Sequence, residues 1–213
     1  MTIVHHPSSV VLAEFANSIL DESAALVVGV HISHCTSCQQ TVRQFEALGG
    51  ALLDDCEPDS SLQMDAHAVL ARAERAASTP GSLHEPHSVR GQSGDVLSHY
   101  ECGEWRWLGP GIHWRKVSVP TNQDVRVFLL KAKAGTLLPH HKHSGIEWTQ
   151  VMEGAFAHAH GRFGPGDFDE ADSSIEHVPV VEKGADCICL VALNGRLELQ
   201  GVLGRMMQPF VRL

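Results

Sequence analysis

One short stretch limits what this 213-residue chain can fold into: His31-Ile32-Ser33-His34-Cys35-Thr36-Ser37-Cys38. The spacing His31-x3-Cys35-x2-Cys38 steps by four and then three residues, which returns side chains to one helical face. One imidazole and two thiolates are the donor types that tetrahedral Zn²⁺ takes. Three ligands on consecutive turns cap one side of an ion, so a fourth must come from elsewhere in the chain. His5 and His6, just ahead of the first predicted helix, are the candidates. The bland alternative is two buried thiols beside a surface His, and the in-register His with an upstream His weighs against it.

The rest of the composition fits an intracellular metal protein. No apolar run approaches the ~20 residues that span a membrane. The N-terminus lacks a basic segment followed by an apolar one, so no secretory signal is expected. Six Cys, two of them in a metal-type pair, suit a reducing cytoplasm better than a disulfide framework, and fifteen His favour metal chemistry. Cys56 and Cys102 stand alone and are assigned no role.

Composition shifts along the chain. Up to Pro80 the aromatics are Phe15 and Phe45 and the glycines are Gly29, Gly49 and Gly50. The remaining aromatics, every Trp and most Gly follow. An Ala- and Leu-rich part thus precedes a Gly-punctuated part rich in Val, Phe and Trp. The expected fold class is α+β: a small zinc-binding helical domain over 1–80, a linker over 81–100 centred on the Ser78-Thr79-Pro80-Gly81-Ser82 break, and a β domain over 101–213. Residues 1–80 carry ten acids and three bases, or −7 of the chain's −9. So acidic a module does not bind nucleic acid directly, but it can bind a basic protein.

Four helices are predicted. Pro7-Ser8-Ser9 precedes the first, which runs towards Ile19. Asp21-Glu22-Ser23 starts the second, and Thr36 to Leu48 forms the third, with Gly49-Gly50 as its stop. The fourth, Leu62 to Ala77, carries Leu62, Ala66, Val69, Leu70 and Ala73 as one apolar stripe. An acidic loop and the linker separate that stripe from the other helices. It therefore reads either as packed on its own domain or as a surface for a partner.

The helical motif within a small acidic domain resembles zinc-binding anti-sigma domains. That resemblance implies zinc on His6, His31, Cys35 and Cys38, and an extracytoplasmic-function sigma factor as partner. The β domain narrows the likeness to ChrR-type anti-sigma factors and extends it over essentially the whole chain.

Gly135-x5-His141-x-His143-x3-Glu147-x6-Gly154 resembles the first cupin motif. Two His two residues apart point to one side of a strand. Gly161-x3-Pro165-Gly166-Asp167-Phe168 and His177 resemble the second motif, with a longer gap than usual between turn and His. A jelly-roll β-barrel is implied, with His141, His143, Glu147 and His177 around a second divalent metal. Zn²⁺ is expected there too, because the neighbouring module is a zinc site. Cys187 and Cys189 share one face of an apolar strand-like run, as buried hydrophobes or as an oxidisable pair.

The resemblance implies a cytoplasmic anti-sigma factor, not an enzyme, that releases its sigma factor on oxidative stress from singlet oxygen or organic hydroperoxides. The rival is a metal-dependent cupin enzyme, a dioxygenase or isomerase, with a helical appendage.

Overall fold

The structure, a computed structural model, describes residues 2–57, 65–77, 96–120 and 124–200. Helix α1 (Ser9–Ala16) starts where the Ser8 side chain accepts a hydrogen bond from the Val11 amide. Helix α2 (Glu22–His34) is capped by Asp21, whose carboxylate accepts from the amides of Ser23 and Ala24. The chain breaks at Cys35, in extended conformation, and resumes as α3 (Thr36–Asp54). The His/Cys motif therefore straddles a break rather than lining one continuous helix.

Helix α3 also differs from expectation at its other end. It continues through Gly49-Gly50 to Asp54. Neither glycine takes a positive φ, so the left-handed residue of a glycine stop is never formed. Helix α4 (Ala66–Ala77) carries the predicted stripe from Ala66 onward, whereas Leu62 lies outside the described residues. Val69 and Leu70 are 45% and 62% exposed.

A 3-10 turn (Val96–His99) leads into the β region. Its strands are β1 (Glu101–Cys102), β2 (Arg106–Gly109), β3 (Ile112–Ser118), β4 (Val125–Ala132), β5 (His141–His143), β6 (Glu147–Glu153) and β7 (Phe156–His158). They continue as β8 (Gly161–Phe163), β9 (Phe168–Ala171), β10 (Glu176–His177), β11 (Val180–Val181), β12 (Cys187–Asn194) and β13 (Leu197–Leu199). The large sheet has the order β1-β3-β4-β12-β6-β9, with β2 added on β3. Two three-stranded sheets, β10-β5-β13 and β11-β7-β8, complete the barrel. All the pairings are antiparallel. Gly154 turns β6 into β7 at φ 68°, and a Cβ there would collide with the Asp186 carbonyl, so glycine is required.

The central strands are covered on both faces, which explains their nearly unbroken apolar sequence. Cys189, Val191 and Leu193 of β12 point into the barrel with Phe128, Val151, Phe156 and Phe163. Leu190 and Ala192 point the other way, with Val127, Leu129 and Trp148, and join Leu26, Val27 and Val30 of α2 in one apolar cluster. Helix α2 thus lies on the outer face of the sheet, and the helical and β parts share a core.

Candidate metal centres

The first cluster sits where the N-terminal segment, the α2–α3 break and the sheet meet. Burial is deep: His31 is 0% and Cys38 2% exposed. His6 Nδ1 lies 3.4 Å from both Cys35 Sγ and Cys38 Sγ, and His31 Nε2 lies 3.3 Å from Cys38 Sγ. One ligand atom from each of the four falls within 4.8 Å of the others. Zn–N and Zn–S bonds of ~2.0–2.3 Å in a tetrahedron place ligands roughly 3.3–3.8 Å apart, so the three short separations and the donor types suit such an ion. His5 is not part of it; its ring lies against Phe163, 4.3 Å between centroids.

The protonation states suit a metal site. Burial pushes His31 down to about 4, so its imidazole is neutral near pH 7. Burial and the neighbouring Cys35 push Cys38 up to about 12, so binding a metal there must expel a proton.

The barrel holds the second cluster. On β5, His141 and His143 point inward and Lys142 outward. His177, on β10, pairs directly with His141 across the sheet. His177 Nε2 lies 2.9 Å from His141 Nε2 and 3.3 Å from His143 Nε2. The other nitrogen of His141 is 2.7 Å from the Pro139 carbonyl, so it carries the proton and leaves Nε2 as a lone pair. Three converging imidazole nitrogens cannot all be satisfied by protons they share, and a cation resolves the conflict. Burial, reinforced by the surrounding imidazoles of His141, His158 and His143, pushes His177 down to about 3.

Glu147, at the start of β6, stands at the edge of this group. Its carboxylate accepts from Thr149 Oγ1 at 3.2 Å and lies 3.6 Å from His143 Nδ1. Burial raises its carboxyl above the ordinary range. Next to the cluster lies a cavity of about 280 Å³, lined mainly by aliphatic side chains such as Leu130, Leu138, Val181 and Val191. Cys187 and Cys189 also line it, with sulfurs 3.7 Å apart. The hydrogen bond between them lowers the Cys187 thiol and raises that of Cys189.

Several contacts around these clusters were not read from the sequence. Asp167, quoted only as part of a turn, accepts from the amides of Val4 at 2.7 Å and His5 at 2.9 Å. Burial raises its carboxyl, but the amides of His5, Gly164 and Val4 outweigh that and hold it below the usual range. The Phe168 amide donates to the His5 carbonyl at 3.1 Å, so the segment carrying His6 is strapped to the barrel. Gly166 lets the strap come close, since a Cβ there would press on Ile3. Gln150 Oε1 lies 3.0 Å from His31 Nδ1. His158 and Asp169, 3.0 Å apart, form a further group with His177.

Fold and clusters together define a helix-capped, cupin-like barrel protein in which His and Cys groups of both parts can hold metal. A family model for the ChrR cupin-like domain matches residues 93–196. Anti-sigma-E factor ChrR of Cereibacter sphaeroides is 35% identical over 215 residues, covering 100% of both chains. The crystal structure of Rhodobacter sphaeroides SigE in complex with the anti-sigma ChrR matches with a TM-score of 0.70 and 32% identity. That match covers 90% of this chain and 99% of the other. The chain belongs to the ChrR family. No described helix is long and apolar enough to cross a membrane.

Proposed function

We propose that this chain is a cytoplasmic, zinc-dependent anti-sigma factor that sequesters an extracytoplasmic-function sigma factor. The observation that carries this reading is its 35% identity to anti-sigma-E factor ChrR over the whole of both chains. Zn²⁺ held by His6, His31, Cys35 and Cys38 cross-links the N-terminal segment to the α2–α3 break. Metal binding of this kind supplies ~10–16 kcal/mol to small domains. The sigma-binding surface is the apolar face of α4, with Ala66, Val69, Leu70 and Ala73; the sequence stripe adds Leu62, outside the described residues. Leu52 and Leu53 of α3, 60% and 73% exposed, extend the apolar surface offered by the helices.

The barrel reads the signal. His141, His143, Glu147 and His177 hold a second divalent metal, proposed to be Zn²⁺, whose role is to fix the barrel's inner face. An organic hydroperoxide fits the cavity by its apolar body. It can oxidise Cys187 and Cys189 to a disulfide, with the two thiol hydrogens and the peroxide oxygen leaving as an alcohol and water. Release follows if the oxidised barrel favours a different arrangement of the helices, since only a differential interaction moves such an equilibrium.

The test is a pull-down of the full chain with its candidate sigma factor, with metal analysis of the complex. Co-purification with one metal bound through thiolates supports the reading, and a metal-loaded chain that captures no sigma factor contradicts it. A metal-dependent cupin enzyme is the second reading, favoured by the apolar cavity beside the barrel cluster. Turnover of a small substrate by purified protein would support it.

A further inference from the structure

The barrel does more than carry its own cluster, because one of its side chains reaches the metal site between the helices. We propose that Gln150, on β6, is a positioning residue for the helical metal centre, selecting the His31 tautomer that can ligate. The inference rests on the zinc reading given above.

The geometry fixes the assignment in two steps. Gln150 is 2% exposed, and its amide Nε2 donates to the Val151 carbonyl at 3.0 Å. That leaves Oε1 as the atom facing His31 Nδ1 at 3.0 Å. With the amide reversed, its oxygen would face a carbonyl oxygen and two acceptors would be opposed without water. An acceptor at Nδ1 requires the proton there, so His31 Nε2 keeps its lone pair. Nε2 is the atom 3.3 Å from Cys38 Sγ, inside the cluster. Gln150, alongside the Gly166 backbone that also bonds this ring, disfavours the neutral tautomer with its proton on Nε2, which would donate to sulfur and could not bind a metal. Phe168, edge-on to the His31 ring at 5.6 Å between centroids, packs the ring from the barrel side.

Strand alternation explains how one strand serves both centres. Glu147, Thr149 and Val151 face the barrel interior, whereas Trp148 and Gln150 face the helices. Strand β6 therefore carries a candidate barrel ligand and, three residues on, the group that orients a helical one.

Cobalt reports the helical site selectively. A thiolate-to-Co²⁺ charge-transfer band arises only where Cys ligates, and the barrel cluster of His and Glu has no sulfur donor. Titrating the full-length metal-free chain with Co²⁺, then competing with Zn²⁺, gives the affinity of the His/Cys site. Gln150→Met, similar in size but without the amide acceptor, is expected to weaken it about 10- to 100-fold. Gln150→Glu, which keeps an acceptor for Nδ1–H, is expected to stay within about threefold of wild type on the same reasoning. Wild-type affinity in a folded Gln150→Met chain would overturn the inference. No charge-transfer band in wild type would overturn the zinc reading and this inference with it. Should Gln150→Met fail to fold, long-range ¹H–¹⁵N spectra of His31 in the wild-type metal-free chain decide. A proton on Nδ1 supports the assignment, and a proton on Nε2 overturns it.

Discussion

The two candidate metal centres are built differently. The helical cluster draws two thiols and two imidazoles into one set, with His31, Cys35 and Cys38 buried and an exposed His6 reaching in from a strapped N-terminal segment. The barrel cluster offers three converging imidazoles, with the Glu147 carboxylate beside His143, at the edge of a cavity of about 280 Å³. A closed four-ligand thiolate site is the structural type, whereas a site that opens on a cavity leaves room for an incoming molecule. The contrast is what motivates the proposed division, with holding in the helical part and sensing in the barrel. The two also meet: α2 lies on the sheet, Gln150 of β6 faces His31, and Asp167, in the turn before β9, holds the segment that carries His6.

The sharpest break of the comparison is loss of a thiol. Cys35→Ala or Cys38→Ala is expected to empty the helical centre and abolish sigma binding, because ~10–16 kcal/mol of metal-linked stabilisation disappears. Metal content and sigma pull-down read it together, and a zinc-free Cys38→Ala chain that binds sigma normally would refute the structural role.

A smaller loss is expected on the proposed docking face. Val69→Asp with Leu70→Asp should weaken sigma binding by about 10- to 100-fold, as removal of exposed apolar anchors does at interfaces. Both positions are exposed, so the melting temperature should not move. Unchanged affinity by calorimetry would place the surface elsewhere.

The centres should also differ in their pH response. Cys38 is neutral until about pH 12 without metal, so each ion bound at the helical site displaces its proton. The Cys38 proton alone should make metal affinity there rise by at least about tenfold per pH unit through the neutral range. His177 is pushed down to about 3 and is already neutral, so it adds no such slope at the barrel. Stability of the metal-free chain should move in acid. The His31 pKa is lowered, so its neutral form stabilises the fold above the ordinary imidazole range. That contribution shrinks as pH falls from 6.5 towards 4, by up to about 3 kcal/mol. Denaturant melts of metal-free protein at stepped pH check the sign.

The smallest effect concerns the cavity thiols. Cys187→Ser with Cys189→Ser should leave the fold and sigma binding intact while blunting release by hydroperoxide. A normal response to every oxidant tested would leave the pair as core residues.

How far the sequence led depends on the range of the contacts involved. His31, Cys35 and Cys38 lie within eight residues, so their spacing suggested a site, and His141, His143 and Glu147, within seven, came from the resemblance to the first cupin motif. The choice between His5 and His6 needed the strap, which depends on Asp167 more than 160 residues away. Gln150 was invisible for the same reason, since its partner His31 is 119 residues distant. The Gly49-Gly50 stop failed because glycine permits a left-handed turn without enforcing one. The Ala/Leu-to-Gly/Trp shift marked the change from helix to strand, but residues 1–80 read as a helical domain of their own. Only the alternation of β6 and β12, with apolar side chains on both faces, shows that the sheet has a helix to cover.

The most direct test of the division between holding and sensing uses full-length His141→Ala with Glu147→Ala, in complex with sigma factor and treated with hydroperoxide. The barrel metal should be lost, sigma affinity should stay within about threefold of wild type, and the oxidant should release nothing. A variant that folds yet no longer holds sigma, or that still lets it go on oxidation, would contradict the account.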